Sequence, residues 1–251
     1  VKIYRFLHAG KPSLGVANGD RILRYNGSDA MSLGDATNES ISLADAEILA
    51  PGTPSKVVAV GRNYAEHAKE LGNEAPPEPI IFLKPPSAVL DPNGTIVRPP
   101  QSQRVDFEGE LAIVIGKSAR NIHRDDWRSV VLGFTCANDV TARDLQKRDV
   151  QFTRGKSFDT FLPLGPCIET DLDPSALSLR TSVNGETKQN GNTRDMVFDC
   201  GSIIEFITSI MTLNPGDVIL TGTPAGVGPL NAGDAVEVEI EGIGILANRV
   251  S

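Results

Sequence analysis

The sequence predicts an α+β chain that is mainly β, on three observations. Glycine and proline punctuate it at short intervals, with 24 and 17 copies respectively. Its apolar runs are only a few residues long, and one segment alone keeps helical apolar spacing over several turns. Such punctuation favours short strands joined by tight turns over long helices. With 40% hydrophobic and 22% charged residues, the 251-residue chain can bury a sizeable core, which excludes disorder as its main state.

Residues 1–50 open on the alternating Val1-Lys2-Ile3-Tyr4-Arg5-Phe6 and are broken by Gly10, Gly15, Gly19, Gly27 and Gly34, so they predict a small β-rich N-terminal domain. Pro51-Gly52-Thr53-Pro54 sets its boundary, because two fixed φ angles flank a permissive residue. Residues 51–251 then form the larger domain. Residues 56–60 read as a buried strand, and 63–71 as a short helix with Asn63 as N-cap and Gly72 as stop. The prolines of 75–79 demand an exposed loop. Residues 107–115 read as one strand, and 130–138 as a helix end followed by a strand that delivers Asp139; a second short helix starts near Thr141. The best-supported helix carries Ser202 and Glu205 as a capping box, with Ile203, Ile204, Ile207, Ile210 and Met211 on one face. Asn214-Pro215-Gly216-Asp217 ends it, and strands follow at 218–221 and 236–240.

Several function classes are excluded. Lys and Arg total 24 against 32 Asp and Glu, a formal charge of −8, and no basic block exceeds a pair. A surface that tracks nucleic-acid phosphates needs many cationic contacts. No apolar run approaches the roughly 20 residues that cross hydrocarbon, and the N-terminal segment lacks the pattern of a secretory signal, so a cytoplasmic location is expected. Neither a GxGxxG nor a GxxxxGK[ST] motif is present, which argues against a nucleotide-binding sheet. Cys136, Cys167 and Cys200 lack CxxC spacing and read as buried, reduced thiols.

The most informative segment is Asp106-Phe107-Glu108-Gly109-Glu110-Leu111-Ala112-Ile113-Val114-Ile115. On a strand, residues two apart share a face, so Glu108 and Glu110 lie side by side while Leu111, Ile113 and Ile115 face away. Beside such an apolar run two like charges are costly unless a cation joins them. Asp139 supplies a third carboxylate. Three oxygen donors without His or Cys select a hard ion, Mg²⁺ or Mn²⁺ with Ca²⁺ as an alternative, rather than zinc. The competing reading is an exposed strand face with Asp139 as a turn residue.

Arg143 and Gln146 follow Asp139 by four and seven positions and share one face of the short helix, where they could hold a carboxylate and a carbonyl; a solvated helix face is the alternative. His67 and Glu70, three apart, are helix neighbours able to activate a water, although such pairs also occur on plain surface helices. Lys156 follows Gly155, which permits close approach, but spacing alone does not separate it from a solvated lysine. Thr223 sits in Leu220-Thr221-Gly222-Thr223-Pro224-Ala225-Gly226-Val227-Gly228, either an anion-binding turn or turn chemistry only.

Taken in order, GRNYAEH, FEGELAIVIG, NDVTARDLQ, RGKSFDTFLPLGP and LTGTPAGVG resemble the fumarylacetoacetate hydrolase family, from about Val57 to the C-terminal strands. Residues 1–50 match only the general pattern of its longer bacterial members. The resemblance implies a mixed β-sandwich roll, assembled as a homodimer or larger oligomer. It also implies a Mg²⁺ or Mn²⁺ held by Glu108, Glu110 and Asp139, a water-activating dyad of His67 and Glu70, and substrate contacts from Arg143, Gln146, Lys156 and Thr223. The implied substrate is a 2-oxo acid with a further carbonyl. The leading expectation is hydrolysis of a C–C bond in acylpyruvate-type diketo acids, with Lys156 balancing developing charge. Oxaloacetate decarboxylation, isomerisation or decarboxylation of dienoates, and a non-catalytic metal-binding scaffold are the rivals.

Overall fold

Strands dominate the computed structural model, which describes residues 1–251. The site is carried by a 12-stranded sheet whose path runs through Lys2–His8, Leu162–Glu169, Val131–Asn138, Gly109–Ile115, Val218–Leu220, Val57–Gly61 and Ile80–Lys84, in that spatial order. A 5-stranded sheet is formed by Glu186–Asn192, Ser178–Val183, Ala235–Ile240, Gly244–Val250 and Thr95–Ile96. The small sheet of Thr141–Ala142, Val105–Phe107 and Gly228–Pro229 completes the roll.

Strand alternation decides where the core lies. Leu111, Ile113 and Ile115 point together into a cluster of 25 buried residues. There they meet Val238, Ile240 and Leu246 of the second sheet and Ile203, Ile204 and Ile207 of the helix Cys200–Ile210. Ala112, on the opposite face, packs with Val57, Ala59, Leu164 and Leu220. Gly109–Ile115 is therefore buried on both faces, and each large side chain removed from water there contributes about 1.5–3 kcal/mol.

Four expectations need correction. Residues 107–115 are not one strand: Val105–Phe107 belongs to the small sheet, Gly109–Ile115 to the large one, and the chain changes sheets at Glu108. The helix near Asn63 is Ala65–Glu70, with Tyr64 at its N-cap. Asn63 instead fastens two loops, donating from Nδ2 to the carbonyls of Phe198 and Thr221 at 3.0 and 2.8 Å. The long helix is capped by Asp199, whose carboxylate accepts from the Ser202 N–H at 2.8 Å, and Glu205 closes no capping box. Capping depends on which residue stands just outside the helix, and both starts lie a few residues from where periodicity placed them. Within the proline loop, Pro79 turns inward while Glu74, Ala75, Pro77 and Glu78 stay exposed.

The N-terminal strands extend the large sheet. Lys2–His8 pairs antiparallel with Leu162–Glu169 through Lys2↔Glu169 and Ile3↔Ile168, and with Lys11–Asn18 on its other side. After the 51–54 segment, the buried Asp217 carboxylate gathers the chain. It accepts from Ser55 N and Oγ at 3.1 and 2.6 Å, Lys56 N at 3.0 Å and Asn214 N at 2.7 Å, and pairs with Lys56 Nζ at 2.5 Å.

Candidate active site

Neighbouring strand ends bring the acidic residues together. Gly109–Ile115 pairs with Val131–Asn138 through Gly109↔Asn138. Asp139, the next residue, therefore arrives beside Glu108, its N–H donating to the Glu108 carbonyl at 2.8 Å. Asn138 Oδ1 accepts from Glu108 N at 2.9 Å, fixing the crossover between sheets. Gly109 is required by close approach, since a Cβ there would lie 2.1 Å from Thr181 Oγ1. Its N–H donates to Gln189 Oε1 at 3.0 Å. Glu110 Oε2 accepts from Gly222 N at 2.6 Å. Gly222 has φ +99°, and a Cβ there would stand 2.7 Å from Asn63 Cβ, so both glycine positions exclude larger residues.

Glu108, Glu110 and Asp139 are all buried, and one oxygen from each lies within 4.8 Å of the others. Lys156 Nζ donates to Glu108 at 2.7 Å and Asp139 at 2.6 Å. Arg143 Nη2 bonds Glu108 at 2.5 Å, and its Nε bonds Asp106 at 2.9 Å. Lys84 pairs with Asp139 Oδ1 at 2.7 Å. Glu110 has no cationic partner. Burial pushes its carboxyl well above the usual range, and Asp139 and Glu108 add to the effect. Burial acts on Glu108 in the same direction, but Lys156 and Arg143 overcome it and hold that carboxyl low. The donor set fits a hard divalent ion: three convergent oxygens, one of them a buried carboxylate that no protein charge neutralises.

His67 is buried on the helix Ala65–Glu70, with Nδ1 3.4 Å from Glu70 Oε2. Burial lowers its pKa below 6.5; Glu108 and Glu70 oppose this and Arg143 assists it. The imidazole is therefore neutral at pH 7. Glu70 is steadied from the far side by Gly226 N, 3.2 Å from each of its oxygens. A cavity of about 270 Å³ is lined by His67, the three carboxylates, Arg143, Gln146, Lys156 and Thr223. Glu70 stands behind His67 rather than on that lining.

Several groups singled out by sequence are already engaged. Gln146 Oε1 accepts from Arg143 Nη1 at 2.7 Å, leaving its amide N–H free. Thr223 Oγ1 donates to the Gly109 carbonyl at 2.9 Å and accepts from Gln189 Nε2 at 2.7 Å. The thiols of Cys136, Cys167 and Cys200 are buried and free, and burial pushes Cys167 up to about 11 and Cys200 to about 12.

Lys84 escaped sequence reasoning. It is fully buried, and besides Asp139 it donates to the Lys156 and Val140 carbonyls at 2.5 and 3.3 Å. Its signal was present, a lysine closing the apolar strand Ile80–Lys84 in step with Phe82. The Phe82 ring lies 5.1 Å from Lys156 Nζ. Asp106 and Gln189 also escaped; the former anchors Arg143, the latter ties Gly109 to Thr223.

Comparison with known proteins places these residues in a family. The family model described as "Fumarylacetoacetate (FAA) hydrolase C-terminal" matches residues 56–251, and "Rv2993c-like, N-terminal" matches residues 1–51. The uncharacterized protein MJ1656 of Methanocaldococcus jannaschii is 58% identical over 197 residues, 78% of this chain and 83% of that protein. Human mitochondrial oxaloacetate tautomerase FAHD2A is 48% identical over 220 residues, 82% of this chain and 70% of that protein. The crystal structure of a 5-carboxymethyl-2-hydroxymuconate delta-isomerase from Mycobacterium smegmatis is 43% identical. It superposes with a TM-score of 0.92 over 100% of this chain and 99% of that one. With three-quarters of its length matched by the family model and its fold superposing over the whole chain on that isomerase, the chain belongs to the fumarylacetoacetate hydrolase family.

Proposed function

We propose that the chain catalyses enol–keto tautomerisation of a 2-oxo carboxylic acid, at a site where Glu108, Glu110 and Asp139 hold Mg²⁺ or Mn²⁺. The observation that carries this reading is a buried, neutral His67 opening onto the same cavity as the acidic triad and Lys156. The likeness to an oxaloacetate tautomerase and to a delta-isomerase supports it. Both names describe proton movement next to a carbonyl, and members of the family are enzymes.

The bound ion supplies Lewis-acid polarisation of the 2-oxo group. The chain's own groups do the rest. His67 Nδ1 faces Glu70, which leaves Nε2 to take a proton from the carbon next to the carbonyl and return it. Glu70 holds the ring and favours the transient imidazolium. Asp106, Glu108 and Asp139 are paired with Arg104, Arg143, Lys84 and Lys156, whereas Glu110 is paired with none of them. An ion held by Glu108, Glu110 and Asp139 would supply positive charge opposite a substrate carboxylate and 2-oxo oxygen. Gln146 offers its free amide N–H, and Thr223 sets the position of Gly109.

Hydrolysis of an acylpyruvate is the second reading, favoured by the His67–Glu70 contact, which would equally suit deprotonation of a water. One experiment separates the readings. Incubated in D₂O with Mn²⁺, the protein should exchange the C3 protons of oxaloacetate, followed by NMR, faster than it releases CO₂ or cleaves acetylpyruvate. Cleavage of acetylpyruvate as the faster process would replace the tautomerase by the hydrolase. A homodimer or larger oligomer is the proposed assembly, measured by sedimentation.

A further inference from the structure

The strand Glu186–Asn192 has a single buried residue, and it is polar. Gln189 is fully buried, while Glu186, Thr187, Lys188 and Asn190 are exposed. Pairing with Ser178–Val183 runs Thr181↔Gln189 and then Ser182↔Thr187, so Lys188 is an extra residue in the strand. Such a bulge re-aims the side chain beside it. An apolar residue would fill this position without the cost of desolvating an amide, so the role of Gln189 lies in its hydrogen bonds.

Those bonds all end in the candidate site. Oε1 accepts from Gly109 N at 3.0 Å, and Nε2 donates to Thr223 Oγ1 at 2.7 Å and to the Pro224 carbonyl at 2.8 Å. The partners fix the orientation of the amide, since a backbone N–H only donates and a carbonyl only accepts. Thr223 Oγ1, accepting from Gln189, turns its own proton to the Gly109 carbonyl at 2.9 Å. One side chain therefore governs both backbone polar groups of Gly109, the residue between Glu108 and Glu110. The turn gripped at Pro224 reaches further: Gly222 N donates to Glu110 at 2.6 Å, and Gly226 N lies 3.2 Å from each Glu70 oxygen. Gly226 also packs on the bulge, where a Cβ would fall 2.2 Å from the Lys188 carbonyl oxygen.

From this geometry we infer that Gln189 is a positioning residue. Reaching in from the second sheet, its amide sets the spacing of Glu108 and Glu110 as ligands of one ion and, through the 222–226 turn, steadies Glu70 behind His67. This inference rests on the ion-binding site proposed above and adds to it the group that holds the ligands in place. Removing a hydrogen-bonding group that stands one step behind the ligands typically weakens ion binding roughly 10–100-fold.

The test titrates Mn²⁺ calorimetrically into the full chain and into Gln189→Met, which keeps the length of the side chain without its amide. The Kd should weaken about tenfold or more in the variant. At saturating Mn²⁺, kcat for C3 proton exchange of oxaloacetate should remain about threefold down or more, with KM little changed, because Glu70 is loosened as well. Urea denaturation also registers the lost bonds, so Leu246→Ala, a core truncation in the same sheet, is the control. It should lower the urea midpoint and leave the Mn²⁺ Kd within about twofold. Gln189→Asn, with the same amide one methylene shorter, serves should Gln189→Met misfold, and should weaken Mn²⁺ binding about threefold or more. An unchanged Kd in a folded Gln189 variant, or an equal weakening in Leu246→Ala, overturns the inference. Full recovery of kcat at saturating Mn²⁺ overturns its Glu70 half. An unaltered protein that binds no Mn²⁺ would instead defeat the ion-binding reading, and this inference with it.

Discussion

At the scale of single residues, the environment of each ionisable group decides its task. His67 is neutral at pH 7 because burial lowers its pKa, so exchange should be at full rate on the alkaline side of 6.5 and fall as pH drops through its lowered value. A pH–rate profile of kcat checks this, and His67→Asn should lose about 10²–10⁴-fold and the acid limb with it. The same depression means the unfolded chain binds a proton the native one resists, so stability also declines in that direction. Lys84 is shifted in the same direction. Burial lowers its pKa, yet Asp139 keeps it paired. Lys84→Met should cost about 3–5 kcal/mol in urea unfolding, since it removes one partner of a buried ion pair and orphans two carbonyls. The three carboxylates were legible in the sequence because Glu-x-Glu beside an apolar run is an electrostatic problem in any fold. Lys84 was not, because a lysine ending a strand is ordinary until the strand is known to be walled in.

At the scale of elements, strand alternation was legible and strand breaks were not. Leu111, Ile113 and Ile115 do share a core face, but residues 107–115 divide between two sheets at Glu108. The apolar pattern runs straight through the crossover and so hides it. Helix starts were misplaced for a related reason, since Tyr64 and Asp199 stand outside the periodic stretch. The crossover makes Gly109 indispensable. Gly109→Ala should destabilise by at least about 2 kcal/mol through overpacking against Thr181. Thr181→Ala in the same chain should recover part of that loss, because the Thr181 hydroxyl is buried without a partner and costs little to remove. A double-mutant cycle by chemical denaturation measures both.

At the scale of the whole molecule, the site lies where the chain crosses between sheets at Glu108, and ligand linkage should be visible in melting. Because Glu110 lacks a protein cation, Mn²⁺ at 100 times its Kd should stabilise by about 2.7 kcal/mol, raising Tm by roughly 5–10 °C for a chain of this size. A chelator should reverse the shift, and Glu110→Gln should largely abolish it, as differential scanning fluorimetry would record. Asp217 holds the 51–56 segment to the sheet, and its carboxyl lies low because hydrogen bonds, chiefly from Lys56 and Ser55, outweigh burial. Its contribution is therefore present above the unfolded value and lost as pH falls through the native one. Asp217→Asn should cost about 3 kcal/mol at pH 7 and less near pH 3, measured by denaturation at both. No helix is long and apolar enough to cross a membrane.

The pairing of Lys2–His8 with Leu162–Glu169 bears on how the chain tolerates being shortened. Cutting away the first fifty residues would strip a neighbour from an otherwise satisfied ladder, baring amide and carbonyl groups beside Ile168 and Cys167. Naked borders of that kind recruit other chains. The trimmed fragment should therefore clump, scattering light at concentrations where the intact protein stays clear, even though every residue proposed for chemistry would still be present.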